Sequence, residues 1–232
     1  MSHFINPDPS QLRFERKFHI DQITRAEIEN IIRLHPAGFH EVFPLRHVNN
    51  IYFDSNNLQT YVDNVDGVAN RTKVRIRWYG ELFGDVAKPI LEYKVKRNQA
   101  GAKSQYSLES FTLEPGTTIR NIHAAVTSSD MPEDKKHKFM QLRPVLLNRY
   151  TRKYYASADG QYRLTLDYDL HYYRIQESNN IFLHHHVDRR ASIIELKYPF
   201  DLDKDAHKIS SLFPFRMTKN SKYVTGVQGI YK

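Results

Sequence analysis

The chain has 232 residues, of which 40% are hydrophobic and 26% charged, a composition that supports a sizeable core and excludes wholesale disorder. Its formal net charge of +8 favours an anionic partner, such as nucleic acid, polyphosphate, a phosphorylated small molecule or a membrane surface. It has no cysteine, no signal-peptide pattern and no run approaching the roughly 20 apolar residues of a membrane span, so thiolate chemistry is excluded and we expect a cytoplasmic protein.

The first half of the chain predicts strands mixed with helices. Residues 13–20 alternate apolar and charged side chains as a strand does, and residues 23–35 carry isoleucines at helical spacing. Thr24 is the predicted N-cap of that helix, with Glu27 three residues on. Further predicted features are strands at 47–54, 71–80, 89–98 and 102–113, a short helix within 55–64, a turn at Asp66-Gly67, and a hairpin between the last two strands with Gly101 in its connection.

The second half predicts helices and loops over residues 117–140, followed by a second series of strands and two final helices. The strands are predicted within 141–157, 161–175, 181–187 and 192–200, and the helices at 203–212 and 221–231. No repeat or linker is present, so a single domain over residues 1–232 is expected. Eight or nine strands with little βαβ alternation predict an α+β fold: a mostly antiparallel β-barrel with a basic interior and helices packed outside.

Charged residues keep to one parity in several strands. In RTKVRIRWYG (71–80), basic residues occupy every second position, and successive side chains of a strand point to opposite faces. The pattern recurs in Glu92, Lys94 and Lys96, in Arg163, Thr165, Asp167 and Asp169, and in Glu195 and Lys197. The ordinary interpretation is a solvated face. We favour inward polar faces that enclose about ten cations around a bound polyanion, because so dense a ring of like charge needs a counter-ion.

Carboxylates on the same parity are candidate ligands for a divalent metal, which takes oxygen ligands. They are Glu15, Glu92, Asp167, Asp169 and Glu195. Glu195 is the preferred ligand and Glu15 the second, and the competing role of all five is to pair with neighbouring Arg and Lys. Two questions stay open at this point: which carboxylates meet in space, and whether Arg149 or Arg152 faces the interior.

Seven blocks in order resemble the VTC domain, the polyphosphate polymerase module of the triphosphate tunnel metalloenzyme superfamily. They are NIYFDS, RTKVRIRWYG, LEYKVKR, RPVLLNRYTRKYY, RLTLDYDL, IIELKYP and SKYVTG, and the resemblance runs from RFERKF to NSKYVTGV. The resemblance spans almost the whole chain and implies an antiparallel barrel around a basic tunnel. It also implies transfer of the ATP γ-phosphoryl group to inorganic polyphosphate with Mn²⁺ or Mg²⁺. ATP and polyphosphate are then the expected partners, and nucleic acid is not.

Roles for individual residues follow from matching positions. The resemblance implies that Glu195 binds the metal, that Tyr150 and Ser221 bind substrate, and that Arg152 rather than Arg149 faces the tunnel. The cations implied to contact phosphate oxygens are Lys17, Arg75, Arg77, Lys94, Arg152, Arg163, Lys197 and Lys222.

The sequence departs from the family pattern at two positions. Asn64 stands where members often carry a basic residue, and Arg71 is the expected substitute in binding substrate. Arg13 replaces the first Glu of the superfamily's Glu-x-Glu-x-Lys strand, which favours the polymerase branch over the hydrolase branch. Neither an SPX domain nor a membrane segment is found, so coupling to translocation is expected to need a separate membrane protein.

Three alternatives remain at this level. One is an inorganic triphosphatase or polyphosphatase, which needs a carboxylate to orient water, and another is a non-catalytic polyphosphate-binding module. The third, a nucleic-acid binder using Trp78, Tyr79 and Tyr93, ranks last because aromatic residues on the apolar parity more often pack against helices. The run His184–His186 is interpreted as surface strand rather than metal site, since neighbouring strand residues point to opposite faces.

Overall fold

The structure is a computed structural model that describes residues 13–97 and 100–231. This part of the chain forms eleven strands and six α-helices. The strands are β1 (Arg13–Ile20), β2 (His40–Asp54), β3 (Asn70–Tyr79), β4 (Gly84–Val86), β5 (Ile90–Arg97), β6 (Ala100–Ser107), β7 (Phe111–Leu113), β8 (Arg143–Ala156), β9 (Arg163–Arg174), β10 (His185–Asp188) and β11 (Ser192–Pro199). The helices are α1 (Arg25–Leu34), α2 (Gln59–Val65), α3 (Ile119–Thr127), α4 (Glu133–Met140), α5 (Asp203–Ser211) and α6 (Lys222–Ile230). None of the described helices is long and apolar enough to cross a membrane.

Nine of these strands form one sheet in the order β1-β11-β9-β8-β2-β3-β5-β6, with β10 paired to β9. Neighbouring strands run antiparallel, as predicted. The predicted strand at 102–113 is divided, because β6 stays in the large sheet while β7 pairs with β4 in a second sheet. Gly101 lies within β6 opposite Lys96, so the hairpin connection falls at residues 98–99, outside the described residues.

The sheet curls strongly but is not closed by backbone pairing, so the barrel prediction is confirmed only as a curled antiparallel sheet. Among the described residues, β1 and β6 remain the two ends of the hydrogen-bonded order. A side-chain contact is present nearby: Lys94 Nζ on β5, the strand next to β6, lies 3.3 Å from Glu15 Oε1 on β1. The end strands β1 and β6 also approach each other, but among the described residues no backbone ladder joins them.

Apolar residues on the parity opposite the charges pack under helices on the outer face. One cluster joins β1, β9 and β11 to α1 and α5 through residues such as Phe18, Ile28 and Leu166. Another joins β2, β3 and β5 to α3 and α4, and it contains Trp78, whose Nε1–H donates to the Glu81 carbonyl at 2.9 Å. The predicted arrangement, apolar faces outward under helices, therefore holds for these four helices.

Helix α6 differs, because it packs on the polar face of the sheet. Its Tyr223 and Val227 share a third apolar cluster with Leu170 and Tyr172 of β9. These two residues point inward because Asp169 has a left-handed backbone (φ +50°) beside a register shift between β8 and β9. Such a bulge reverses the side-chain alternation of the residues that follow. The bulge thus places apolar side chains on the inner face, where α6 packs against them.

Helix α6 packs so closely on the sheet that position 226 leaves no room for a side chain. A Cβ there would lie 2.5 Å from the Tyr172 ring and closer still to Leu146. We expect Gly226→Ala to lower the free energy of unfolding by about 1–3 kcal/mol through overpacking, measured by urea denaturation.

Gly229→Ala is the matched control in the same helix. Its Cβ would meet the side chain of the exposed His186 at 3.0 Å. Rotation of that side chain would relieve the contact, and the gain in helix propensity of about 0.5–1 kcal/mol offsets it. Equal destabilisation by the two variants would contradict the close packing described for Gly226.

Candidate active site

The polar face of the curled sheet carries an ion network that joins strands far apart in sequence. Most of the sequence-predicted site residues belong to it. The network, called the central network below, consists of Glu15, Lys17, Arg75, Arg77, Glu92, Lys94, Tyr150, Arg152, Asp167, Glu195, Lys197 and Lys222.

Glu195 is the hub of the network on β11. Register places it opposite Lys17 of β1, and its carboxylate lies 2.9 Å from Lys197 Nζ and 3.4 Å from Lys17 Nζ. Arg152 and Lys222 approach it at 3.7 and 3.9 Å. Burial opposes the charged form, but these four cations hold the pKa of Glu195 well below its usual value. The carboxylate is therefore ionised at neutral pH.

Asp167 on β9 forms the most buried ion pair of the network. It is fully buried and accepts hydrogen bonds from Arg152 Nε at 2.5 Å and Nη2 at 2.6 Å. Lys222 Nζ of α6 lies 2.5 Å from the same carboxylate. Arg149, by contrast, pairs with Glu81 at 3.6 Å. The open question of β8 is thus answered: Arg152 faces the network.

A second buried carboxylate, Glu92 on β5, organises the arginines of β3. Arg75 Nε donates to it at 2.6 Å, and Arg77 Nη1 lies 4.0 Å away. Arg77 also donates to Asn50 at 2.8 Å and to the Tyr150 hydroxyl at 3.2 Å. Burial would raise the pKa of Glu92, but Arg75 and Arg77 hold it at about 2.

Lys73 belongs to this face, although it was not among the predicted site residues. Its Nζ donates to Ser221 Oγ at 2.8 Å, just before α6. Burial, followed by the nearby Lys17 and Lys94, lowers the pKa of Lys73 to about 7. The available signal for a site role of Lys73 was its position among the alternating basic residues of 71–80. That no described carboxylate pairs with Lys73 depends on tertiary structure.

Three predicted site residues, Arg71, Arg163 and Ser221, lie at the edges of the network. Arg71 donates to Asn64 at 3.0 Å and to the Val68 carbonyl at 2.6 Å, so the expected substitute contacts the neutral residue for which it was expected to compensate. Arg163 is exposed at the start of β9, paired in register with Lys197. Ser221 is the N-cap of α6 and contacts Lys73.

One predicted carboxylate does not join the network. The bulge at Asp169 interrupts the alternation of β9, and this residue is exposed beside Asp21 and Arg190 on the outer surface. It was expected to share the inward parity of Asp167. The parity rule fails here because the rule assumes an uninterrupted strand.

The carboxylates that were predicted to bind metal are those of Glu195 and Glu15. Both contact the Lys17 ammonium, at 3.4 and 3.1 Å, so they lie close together across β1 and β11. Among the described residues, no group of three or more His, Asp or Glu forms a self-sufficient metal site. Two carboxylates fit Mg²⁺ or Mn²⁺, since such hard ions commonly take one or two carboxylates and complete their shell with phosphate oxygens and water.

The VTC domain family profile matches residues 12–231. The chain belongs to the VTC domain family. Among curated proteins, none matches it significantly.

The solved structures that resemble this VTC domain share its fold at low identity. A putative adenylyl cyclase from Hippeastrum, described as having a dominant triphosphatase activity, has a TM-score of 0.51 and 13% identity, over 94% of this chain and 95% of that chain. A putative adenylate cyclase from Vibrio parahaemolyticus has a TM-score of 0.50 and 9% identity, over 91% and 97% of the two chains. These likenesses establish the fold of the VTC domain, and family membership agrees with a role in triphosphate or polyphosphate chemistry.

Removing Arg152 should destabilise the VTC domain, because fully buried Asp167 would lose its bidentate partner. We expect Arg152→Ala to lower the free energy of unfolding by about 3 kcal/mol. Arg163→Ala on the neighbouring strand removes an exposed arginine and should change it by less than about 0.5 kcal/mol. Chemical denaturation of both variants makes the comparison, and equal losses would contradict the role of Arg152 as counter-ion.

The low pKa of Lys73 should appear in the pH dependence of stability. The unfolded chain keeps this proton up to the usual pKa of 10.5, whereas the folded chain releases it near pH 7. The unfolded state thus binds more protons between these values, and Lys73 makes stability rise with pH by up to about 1.4 kcal/mol per pH unit.

Lys73→Met should remove this contribution between pH 8 and 9.5. Lys204→Met, at an exposed position of α5, serves as the control and should keep the wild-type slope. Denaturation at several pH values measures the slopes, and an unchanged slope in Lys73→Met would refute the assignment.

Proposed function

We propose that this protein is a polyphosphate polymerase that transfers the γ-phosphoryl group of ATP to the end of a polyphosphate chain. The observation that carries the proposal is the convergence of cations from β1, β3, β5, β8, β11 and α6 on one curled face. Membership of the VTC family agrees with it. Phosphoryl transfer depends mainly on positioning and on neutralising charge on phosphate oxygens, which such a face provides.

The proposed reaction needs no general base. An oxygen of the terminal phosphate of the chain forms a bond to the γ-phosphorus, the bond from that phosphorus to the β–γ bridging oxygen breaks, and ADP leaves with the electron pair. Arg75, Arg77 and Arg152 are the proposed ligands of the phosphate oxygens, since guanidinium groups stay charged and bind phosphate through two N–H donors.

The other predicted cations have supporting roles in this proposal. Lys17, Lys94, Lys197 and Lys222 neutralise the phosphate chain near the carboxylates that they contact, and Arg163 and Arg71 extend the path towards its edges. Tyr150 orients Arg77 through its hydroxyl group. Glu195 and Glu15 would hold Mn²⁺ or Mg²⁺, which supplies charge neutralisation at phosphate oxygens.

The state of the carboxylates favours transfer to phosphate over transfer to water. A hydrolase needs a carboxylate that orients or deprotonates water, and an efficient base has a pKa near the working pH. Burial would raise the pKa of Glu15, but Lys17 and Lys94 hold it at about 2. Glu92 is held at a pKa of about 2, and Asp167 also has a lowered pKa despite its burial. Each is engaged by cations and is a weak base.

The direct test follows γ-³²P-labelled ATP in the presence of Mn²⁺, with and without a short polyphosphate primer. We expect a ladder of labelled polyphosphate on a polyacrylamide gel together with ADP. Arg77→Met should slow the ladder by at least about a hundredfold, as loss of one donor to a transition-state oxyanion does. The fold should persist, because Glu92 keeps Arg75 and Gln105 as partners.

A charge-matched control is Lys204→Met. It removes one exposed cation of α5, outside the central network, and should keep the wild-type rate. Labelled free phosphate without a ladder would show a hydrolase and refute the proposal. Binding of polyphosphate without turnover would instead indicate a binding module.

A further inference from the structure

An arginine surrounded by three aromatic rings lies at one end of the polar face. The Arg46 guanidinium carbon lies 5.6, 5.5 and 5.6 Å from the ring centres of Phe43, Tyr79 and Tyr154. We call these four residues the mouth cluster. Phe43 is 54% and Tyr79 44% exposed, so ring surface is open to solvent. Large aromatic side chains that stay exposed around a cation are a candidate contact surface for a ligand.

The mouth cluster continues directly from the central network. In the β2–β8 pairing, Arg46 is opposite Arg152, whose guanidinium carbon lies 6.0 Å from the Tyr154 ring. Tyr79 follows Arg77 by two residues on β3 and so shares its face of the strand. Register shifts on both sides of Phe43 alter the direction of β2 here. A ligand in the network therefore reaches the cluster without leaving the polar face.

Arg46 differs from the arginines deeper in the face. Arg75 and Arg152 have carboxylate partners at 2.6 and 2.5 Å. Arg46 is exposed and makes no ion pair with a described residue, and its neighbours are the aromatic rings. Its planar guanidinium is thus placed for stacking rather than for charge pairing.

The chemistry of the cluster selects a flat, uncharged group. The faces of aromatic rings carry partial negative charge and are unfavourable neighbours for phosphate oxygens. Nucleobases, in contrast, stack on aromatic rings and on arginine planes. We propose that the mouth cluster binds the nucleobase of the nucleoside triphosphate whose phosphates occupy the central network. This inference rests on the proposed function and names the part of the site that holds the nucleoside.

The spacing along β3 fits this arrangement. Tyr79 and Arg75 are four residues apart, which at the rise of a strand is about 13 Å, with Arg77 between them on the same face. An extended nucleoside triphosphate can place its base at Tyr79 and its phosphates over Arg77 and Arg75. The base then marks the open end of the site, and the γ-phosphate lies deepest.

The test compares ATP with tripolyphosphate, which has the phosphate chain but no nucleoside. Isothermal titration calorimetry would measure both ligands on wild type, Tyr79→Ala and Phe43→Ala. These substitutions leave the net charge unchanged. We expect ATP affinity to fall about tenfold, the size of one lost base–aromatic contact, while tripolyphosphate affinity stays within about twofold. Tyr79→Trp should restore ATP binding.

Two controls separate the outcomes. Phe83→Ala removes another partly exposed aromatic ring, 39% accessible and outside the cluster, and should change neither affinity. Equal losses for the two ligands, or no loss, in the mouth variants would overturn the inference. Arg77→Met should weaken both ligands. If it weakens neither while Tyr79→Ala weakens ATP alone, the nucleobase site stands and the proposed role of the network fails. Absence of ATP binding by the wild type would overturn both.

Discussion

The structure depends on the balance between buried cations and a few buried carboxylates on one face of the sheet. Taking an ion out of water costs several kcal/mol unless an opposite charge replaces the water. Asp167 and Glu92, which are 0% and 2% exposed, provide this compensation for Arg152 and Arg75. Each carboxylate also holds its arginine in one orientation. The cations are therefore fixed in place before any ligand binds, which is the condition for effective electrostatic stabilisation of a charged reaction.

The carboxylates do not compensate all of the buried cations on this face. Lys73 donates to the Ser221 hydroxyl, and burial, followed by repulsion from Lys17 and Lys94, lowers its pKa. Burial likewise lowers the pKa of Lys94, although Glu15 opposes the shift. An anionic ligand would relieve both. The polar face can therefore bind additional negative charge at the end near Ser221, where α6 begins.

Features that depend on local periodicity could be predicted from the sequence. The alternation in 71–80 correctly separates Trp78 in the core from Arg75 and Arg77 on the polar face. The Thr24–Glu27 capping box is also present as predicted. Both depend on residues within a few positions of each other, and both follow from backbone geometry that any strand or helix shares.

Features that depend on contacts between strands far apart in the chain could not be predicted from the sequence. The contact between Glu15 and Glu195 through Lys17 requires β1 to lie beside β11, and parity alone does not specify strand order. The sequence predicted a closed barrel, but the backbone pairing of the described sheet is open. Strands of a curled open sheet and of a closed barrel have the same alternation of polar and apolar residues, so the sequence cannot distinguish the two. The inner position of α6 depends on Gly226 and on the apolar residues that follow Asp169.

The bulge at Asp169 constrains how the length of this chain can vary in evolution. Before the bulge Leu166 points outward, and after it Leu170 and Tyr172 point inward. Deleting one residue there would restore a plain alternation and exchange the two faces of the strand's second half. The seat of α6, and with it the position of Lys222, would be lost without any change to a charged residue. Insertions and deletions in this strand should therefore be rarer among relatives than substitutions of its exposed side chains.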